Sequence, residues 1–355
     1  MQVVNVGSPN FDPCDSYGRL ANELADGLTQ RGWRVNRLGW DAPKQPIKPA
    51  LGGLLLGYPT LYPEYGALVN RGARVAITMF ESTKLLPSWT EALNQCDAVI
   101  VPARWLVEVF QNNGVVVPIH VAPLGISEAF LRVRPHPPAE QKPFTFLAIA
   151  DRGRRKGWLQ SAFAFDRAFG RDRNYRLILK ARDLPFLIAN PNIEVIKGDY
   201  SDEEMADLYA RCHVMVFPSC GEGFGLPPRE FAATGGVVLA TDWGGTADDL
   251  DEWGIRLPYQ LVDAWPDNPK WHRRQGQWAE VNQDDLVAKM RLVAEWYDQY
   301  QPGALRAAEF CHKHYQWQTF VDRALNIWAE ALEKRYGNHP DRNRNIAVAA
   351  AVGAE

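Results

Sequence analysis

Val214–Glu230 reads VMVFPSCGEGFGLPPRE. The four apolar residues Val214–Phe217 predict a short buried strand. The turn that follows carries Gly221, Gly223 and Gly225, which permit positive φ and a close approach of a ligand to the backbone. Pro227 and Pro228 open a helix, where a missing N–H costs little. Val237–Ala240 is the next strand. Strand, turn, helix and strand in this order imply parallel strands joined by a crossover helix, and so an α/β fold.

The same alternation extends in both directions. Upstream, Phe144–Ala150 reads as a strand, and Trp158–Phe169 as a helix carrying Leu159, Ala162, Phe163 and Phe169. Arg176–Lys180 and Ile193–Ile196 are strands. Asp202–Arg211 is a helix, with Ser201 and Glu204 in a capping-box pattern. In the first half, Gln2–Gly7, Trp33–Gly39, Leu54–Gly57, Ala73–Phe80 and Ala98–Val101 are strand candidates. Tyr17–Arg31 sets Tyr17, Leu20, Ala21, Leu24 and Leu28 at helical spacing and stops at Gly32. Ser88–Asn94 and Ala103–Asn113 are further helices. Pro135–Pro143 (PHPPAEQKP) predicts a stiff exposed connector, with the chain crossing over near Gly125. The expected organisation is two Rossmann-like domains facing a cleft. Residues 1–126 form the first, 127–143 the linker, 144–318 the second, 319–336 a helix crossing back to the first domain, and 337–355 a fraying tail. The final helix, about Gln316–Arg335, places Phe320, Ala324, Ile327, Trp328 and Ala331 on one face. Leu261–Asn282, polar and bearing Trp265, Trp271 and Trp278, reads as an irregular excursion.

Composition bounds the function. The chain has 355 residues, a net charge of −3 and 46% hydrophobic residues, ordinary for a globular protein of about two domains. A protein that tracks nucleic-acid phosphates is usually more basic. The five cysteines are scattered, with no paired spacing for zinc or for a disulfide framework, so buried thiols are expected and no metal. No apolar run reaches the length of a membrane span, and the opening MQVVNVGSPNF lacks a basic signal-peptide region. A cytoplasmic enzyme is expected.

Four segments could carry chemistry. In the glycine turn, the amides of Phe224, Gly225 and Leu226 lie near a helix N-terminus and favour a phosphate or an electron-rich sugar edge. Glu222 and Glu230 can face one ligand from different sides, and carboxylates suit polyols because they accept hydroxyl hydrogen bonds. In the second segment, Asp151–Gly157 (DRGRRKG), Arg152, Arg154, Arg155 and Lys156 form a cationic strand-to-helix loop suited to a diphosphate. The third is Gly7–Gly18 (GSPNFDPCDSYG), the first strand-to-helix loop, which lacks a dinucleotide-binding glycine pattern. The fourth is Thr78–Thr83 (TMFEST), at the end of a strand. Lys180, at the end of LILK, is placed to face a ligand there. The three tryptophans of 261–282 suit either an aromatic acceptor platform or packing. His120 and His213 read as strand or core histidines.

The stretch PSCGEGFGLPPREFAATGGVVLATDWGGTADDL resembles the donor-binding signature of the retaining glycosyltransferases of the GT-B fold, family 4. That signature has two glutamates seven residues apart, a small-residue helix, a strand and a D-x-G-G turn, here Asp242, Gly244 and Gly245. Asp97–Ile126 is similar to the family's approach to the interdomain crossover, and Tyr315 and Trp317 to its closing pattern. The resemblance implies a nucleoside diphosphate sugar, UDP- or GDP-linked, as donor substrate, and no required cofactor. It implies that Glu230 takes the ribose hydroxyls, and that Glu222 with Gly223, Phe224, Gly225 and Leu226 takes the sugar. Lys156 and an arginine, Arg152 in preference to Arg155, neutralise the departing diphosphate. Ser16, Tyr17 and Gly18 match the family's first loop, near phosphates and acceptor. Where many members have a histidine, this chain has Glu81 and Ser82, and Glu81 has either a sugar-orienting or a structural role. The expected acceptor is a glycan, a small metabolite or a hydroxylated nucleic-acid base. A nucleotide-sugar epimerase and a non-catalytic sugar-nucleotide-binding protein are the alternatives.

Overall fold

The computed structural model describes residues 3–13, 15–39, 50, 52–62, 72–150, 153–183, 189–264 and 276–337. The chain divides into two compact units, Met1–Phe80 with Leu85–Gly125 and Gln316–Glu355, and Glu81–Lys84 with Ile126–Tyr315.

The first unit is built on β1 (Val3–Gly7), β2 (Arg34–Leu38), β3 (Gly52–Leu56), β4 (Ala73–Ile77), β5 (Ala98–Val101) and β6 (Ile119–Val121). They form one parallel sheet in the order β2-β1-β3-β4-β5-β6. Its helices are α1 (Ser16–Gln30), α2 (Pro87–Leu93) and α3 (Trp105–Asn112). The last helix of the chain belongs here too: it spans Trp317–Tyr336, and Phe320, Ala324, Trp328 and Ala331 are buried. Its Trp328 indole N–H donates to the Ala73 carbonyl (3.1 Å), and Arg31 on α1 pairs with its Asp322 (2.6 Å). The chain leaves this unit at Gly125, where a Cβ would stand 2.2 Å from the Trp317 nitrogen. Only glycine allows so close a crossing. The helix expected to return to the first domain does so.

The second unit repeats the plan. Its strands are β7 (Phe144–Ile149), β8 (Tyr175–Ala181), β9 (Ile193–Lys197), β10 (Val214–Phe217), β11 (Val237–Thr241) and β12 (Ile255–Leu257). The parallel order is β12-β11-β10-β7-β8-β9. Crossovers are made by α4 (Trp158–Phe169), α5 (Asp202–Tyr209), α6 (Leu226–Ala233) and the short α7 (Leu250–Trp253). Ser201 and Glu204 close the expected capping box on α5. The interior is lined by Phe144, Phe146, Phe165, Leu177, Val214, Val216 and Leu239. The helices α8 (Gln283–Glu295), α9 (Tyr297–His314) and α10, the terminal helix already described, close the chain.

The structure changes one reading and decides between two alternatives in another. The stretch 261–282 is not irregular at its ends: β13 (Tyr259–Asp263) and β14 (Gln277–Val281) form an antiparallel hairpin. The long polar segment between them hid the pairing, because hairpin signals are local to short turns. Trp278 is buried against Cys220 and Ala264, which makes it a packing residue rather than part of an acceptor platform. Trp265 and Trp271 lie outside the described residues. The proline-rich stretch is largely exposed, as expected of a connector, and is anchored at its start. The His136 ring sits between the carbonyls of Cys212 (2.8 Å) and Thr234 (3.2 Å), and the Arg134 amide donates to Thr234. The tail from 338 onward lies outside the described residues. Cys96, Cys212, Cys220 and Cys311 are buried thiols.

Candidate active site

Strand order locates the site. In the second sheet β7 lies between β8 and β10, so the chain runs outward to one side after β7 and returns to the other side at β10. Open parallel sheets bind ligands at such a reversal, outside the carboxyl ends of the strands. The two loops that leave the sheet there follow β7 and β10. They are the cationic loop and the glycine turn.

The loops are laced together. The Cys220 amide donates to the Arg155 carbonyl (2.7 Å). Gly157, at φ +68°, sits where a Cβ would be 2.0 Å from the Pro218 carbonyl oxygen, and a Cβ on Gly221 would be 2.1 Å from that of Glu81. Glycine is required at both crossings. At their centre Lys156 Nζ donates to Glu222 Oε1 (2.7 Å) and Oε2 (2.9 Å). Ser219 Oγ donates to Oε1 (2.7 Å). Arg155 bonds the Gly221 carbonyl and lies 3.4 Å from Glu222 Oε1. Both members of the pair are largely shielded from solvent.

Burial pushes the Glu222 carboxyl up, but the charges of Lys156 and Arg155 and the hydrogen bonds from Lys156 and Ser219 outweigh it and hold the group below its ordinary range. Burial pulls the Lys156 ammonium below its ordinary value, and Arg155 adds to this, while Glu222 and Glu81 oppose it. Glu81 therefore belongs electrostatically to this group, and its residue lies in the second unit.

Glu230, on α6, is buried and accepts a hydrogen bond from the Tyr209 hydroxyl (3.2 Å). The helix starts at Leu226 behind Gly225, whose φ of +84° is a conformation for glycine. Asp242 of the D-x-G-G turn pairs with Arg256, which also holds Asp251. Gly245 packs on the glycine turn, with a virtual Cβ 2.4 Å from Gly223, and its amide donates to the Glu222 carbonyl (2.8 Å).

The structure thus gathers Glu81, Arg155, Lys156, Glu222, Gly223, Phe224, Gly225, Leu226 and Glu230 in the second unit. Arg152, preferred from sequence for the diphosphate, lies outside the described residues. Lys180 is buried on β8; its amine donates to the Gly198 carbonyl (2.5 Å) and stands 4.2 Å over the Tyr200 ring. Ser16, Tyr17 and Gly18 lie in the first unit, at the start of α1. Asp15 caps that helix by accepting from the Tyr17 and Gly18 amides, and Gly18 has no room for a Cβ beside Asp12 and Asn10. The strand order of the first sheet also reverses beside β1, so this loop occupies the equivalent position. Sequence reading passed over Ser219, Tyr209 and Arg229. A serine before the glycine turn and an arginine beside Glu230 were visible, but nothing local marked them as partners of the site.

Residues 170–266 match the family model of the Glycosyl transferases group 1. The matched segment contains Glu222, Arg229 and Glu230. A 111-residue stretch is 33% identical to the serotype-specific mannosyltransferase WbdA of Escherichia coli, covering 28% of this chain and 13% of that protein. The chain therefore corresponds to a small part of that relative. Among solved structures, sucrose-phosphate synthase from Thermosynechococcus elongatus superposes with a TM-score of 0.72 at 14% identity, over 93% of this chain and 99% of that one. Anabaena HepE, in complex with UDP and glucose, gives 0.63 at 13% identity over 92% and 99%. At such identities the likeness is one of fold, the two-domain GT-B architecture with parallel sheets.

Proposed function

We propose that this chain is a retaining glycosyltransferase of family 4 type. In this reading it transfers a hexose from a UDP- or GDP-linked donor to an acceptor hydroxyl. The observation that carries the reading is the meeting of Lys156 and Glu222 at 2.7 Å, from the two loops at the reversal of the second sheet. The helix bearing Glu230 follows directly. The group 1 match over this segment, the mannosyltransferase relative and the UDP and glucose bound to HepE support it.

Lys156, with Arg155 and Arg152, neutralises the negative charge that grows on the departing diphosphate, the kind of positioned electrostatics that supplies most of the barrier lowering in many enzymes. Glu222, fixed by Lys156 and Ser219, holds the sugar hydroxyls, and Glu230 the ribose. Both oxygens of Glu222 are engaged by Lys156, which suits a binding role better than that of a nucleophile. The acceptor oxygen bonds to the anomeric carbon on the face from which the diphosphate leaves. Its proton passes to the leaving phosphate oxygen, and no cofactor is consumed.

A thermal-shift series with UDP-, GDP- and ADP-sugars on the wild type and Glu230→Ala tests the donor. One nucleotide series should stabilise the wild type and stabilise the variant less. If none stabilises the wild type, the reading fails. Donor isomerised without acceptor would identify an epimerase, and binding with no turnover on a panel of glycan and sugar acceptors a binding protein. Proton NMR of the product linkage decides retention.

A further inference from the structure

Arg229 sits on α6, one residue before Glu230, and is fully buried. Its Nη1 donates to the Phe224 carbonyl and lies 3.3 Å from that of Gly225. Its Nη2 donates to the carbonyls of Gly245 (2.8 Å) and Asp248 (3.0 Å). The guanidinium carbon stands 4.1 Å from the ring centre of Phe224, 4.6 Å from that of Trp253 and 5.1 Å from that of Tyr315. None of these partners is a carboxylate, and Nε–H has no acceptor among the described residues. Burying a guanidinium without a counter-charge is costly. What the cation gains for this cost is a hold on the carbonyls of two separate turns, Phe224 and Gly225 on one and Gly245 and Asp248 on the other.

The consequence of this hold follows from peptide geometry. Within one planar trans peptide the C=O and the next N–H point in opposite directions. Drawing the carbonyls of Phe224, Gly225 and Gly245 toward Arg229 turns the amides of Gly225, Leu226 and Thr246 away from it. Neither the Gly225 nor the Leu226 amide has a protein acceptor among the described residues, whereas the 3-10 turn Gly244–Thr246 directs the Thr246 amide at the Trp243 carbonyl. Pro227 and Pro228 have no N–H, so Gly225 and Leu226 supply the donors at this helix end. The two turns are in contact, since Gly245 abuts Gly223 and Phe224.

We propose that Arg229 is a positioning residue of the donor site. It ties the turn 224–226 to the turn 244–248, so that the amides of Gly225 and Leu226 face the phosphate and hydroxyl oxygens of the nucleotide sugar. The inference rests on the donor reading above. Arg229 touches no substrate; it acts through the backbone it holds.

The test compares wild type, Arg229→Met and Arg229→Lys by calorimetric titration with UDP, GDP and ADP, with melting temperature and amide hydrogen exchange measured on the same samples. Arg229→Met should stay folded with a lowered melting temperature, because it leaves buried carbonyls unsatisfied, while the Kd for the preferred nucleotide rises about tenfold or more. Exchange at 224–226 and 244–248 should quicken without ligand. Arg229→Lys should fall between, because an ammonium cannot span both turns. Wild-type affinity and exchange in a folded Arg229→Met would overturn the inference and leave the donor reading standing. If Arg229→Met does not fold, Arg229→Lys decides: unchanged Kd and exchange there overturn it. If no nucleotide binds the wild type, the donor reading and this inference fall together.

Discussion

Lys156 Nζ donates to both carboxylate oxygens of Glu222, at 2.7 and 2.9 Å, from a loop 66 residues earlier in the chain. The bond joins the two segments that leave the sheet at its reversal, so it couples stability to the site's chemistry.

Removing one member leaves the other buried and unbalanced. Lys156→Met and Glu222→Gln should each lose about 3–5 kcal/mol of stability and reduce turnover about a hundredfold or more. The double variant should regain part of the stability, since two neutral groups need no counter-charge, and none of the turnover. Chemical unfolding with a donor-consumption assay reads both. Single variants as stable as the wild type would show the pair to be energetically idle.

His213 gives the acid limb of stability. Burial pushes its imidazole down to about 4. Nδ1 accepts from the Thr145 amide (3.0 Å), and Nε2 lies 3.1 Å from the Pro138 carbonyl, to which it donates. The unfolded chain takes up this proton near 6.5 and the folded one near 4. Between those values the unfolded state binds more protons, so stability is full above about 6.5 and falls as the pH drops toward 4. Urea unfolding across that window, with NMR titration of the imidazole, checks it. A His213 resonance titrating near 6.5 would refute the assignment.

Glu222 adds a second, more acidic component. Its folded carboxyl titrates below its ordinary range, so its contribution is present above the ordinary glutamate range and disappears as the pH falls through the lowered value. Glu222→Gln should flatten this limb, and an unchanged acid profile in that variant would count against it.

Gly245→Ala places a methyl 2.4 Å from the Gly223 backbone. Backbone cannot yield as a flexible side chain can, so the two turns must separate. A loss of about 1–3 kcal/mol is expected, with a donor KM raised more than kcat is lowered. Melting curves and donor saturation kinetics measure both; a KM at the wild-type value would mean that the contact does not shape the site.

Tyr209 orients Glu230 through a hydrogen bond of 3.2 Å from its hydroxyl. Tyr209→Phe should cost about 0.5–1.5 kcal/mol and raise donor KM only a few-fold. Glu230→Ala removes the ligand contact itself and should raise KM far more. Equal effects of the two would place Tyr209 on the ligand.

Much of this architecture was legible in short stretches. The predicted helix at Trp158–Phe169 and the Ser201–Glu204 cap lie where the periodicity and the S-x-x-E spacing set them. The two glutamates of the glycine turn were evident because strand, turn and helix signals all act within a few residues. The β13–β14 hairpin was missed for the converse reason: its strands are separated by a long polar insertion, and pairing depends on partners rather than on local pattern.

The sequence by itself determined the alternation of strands and helices, the glycine turn with Glu222 and Glu230, and a cationic loop after the strand at Phe144–Ile149. Hydrophobic period and turn chemistry are short-range properties, and they survive without knowledge of neighbours. Only the tertiary structure decided that Lys156 meets Glu222, that Glu81 joins them, and that Arg229 is buried among four carbonyls. The first of these follows from strand order, which brings the loops after β7 and β10 together at the carboxyl ends of neighbouring strands. A different order would preserve every local pattern and separate Lys156 from Glu222.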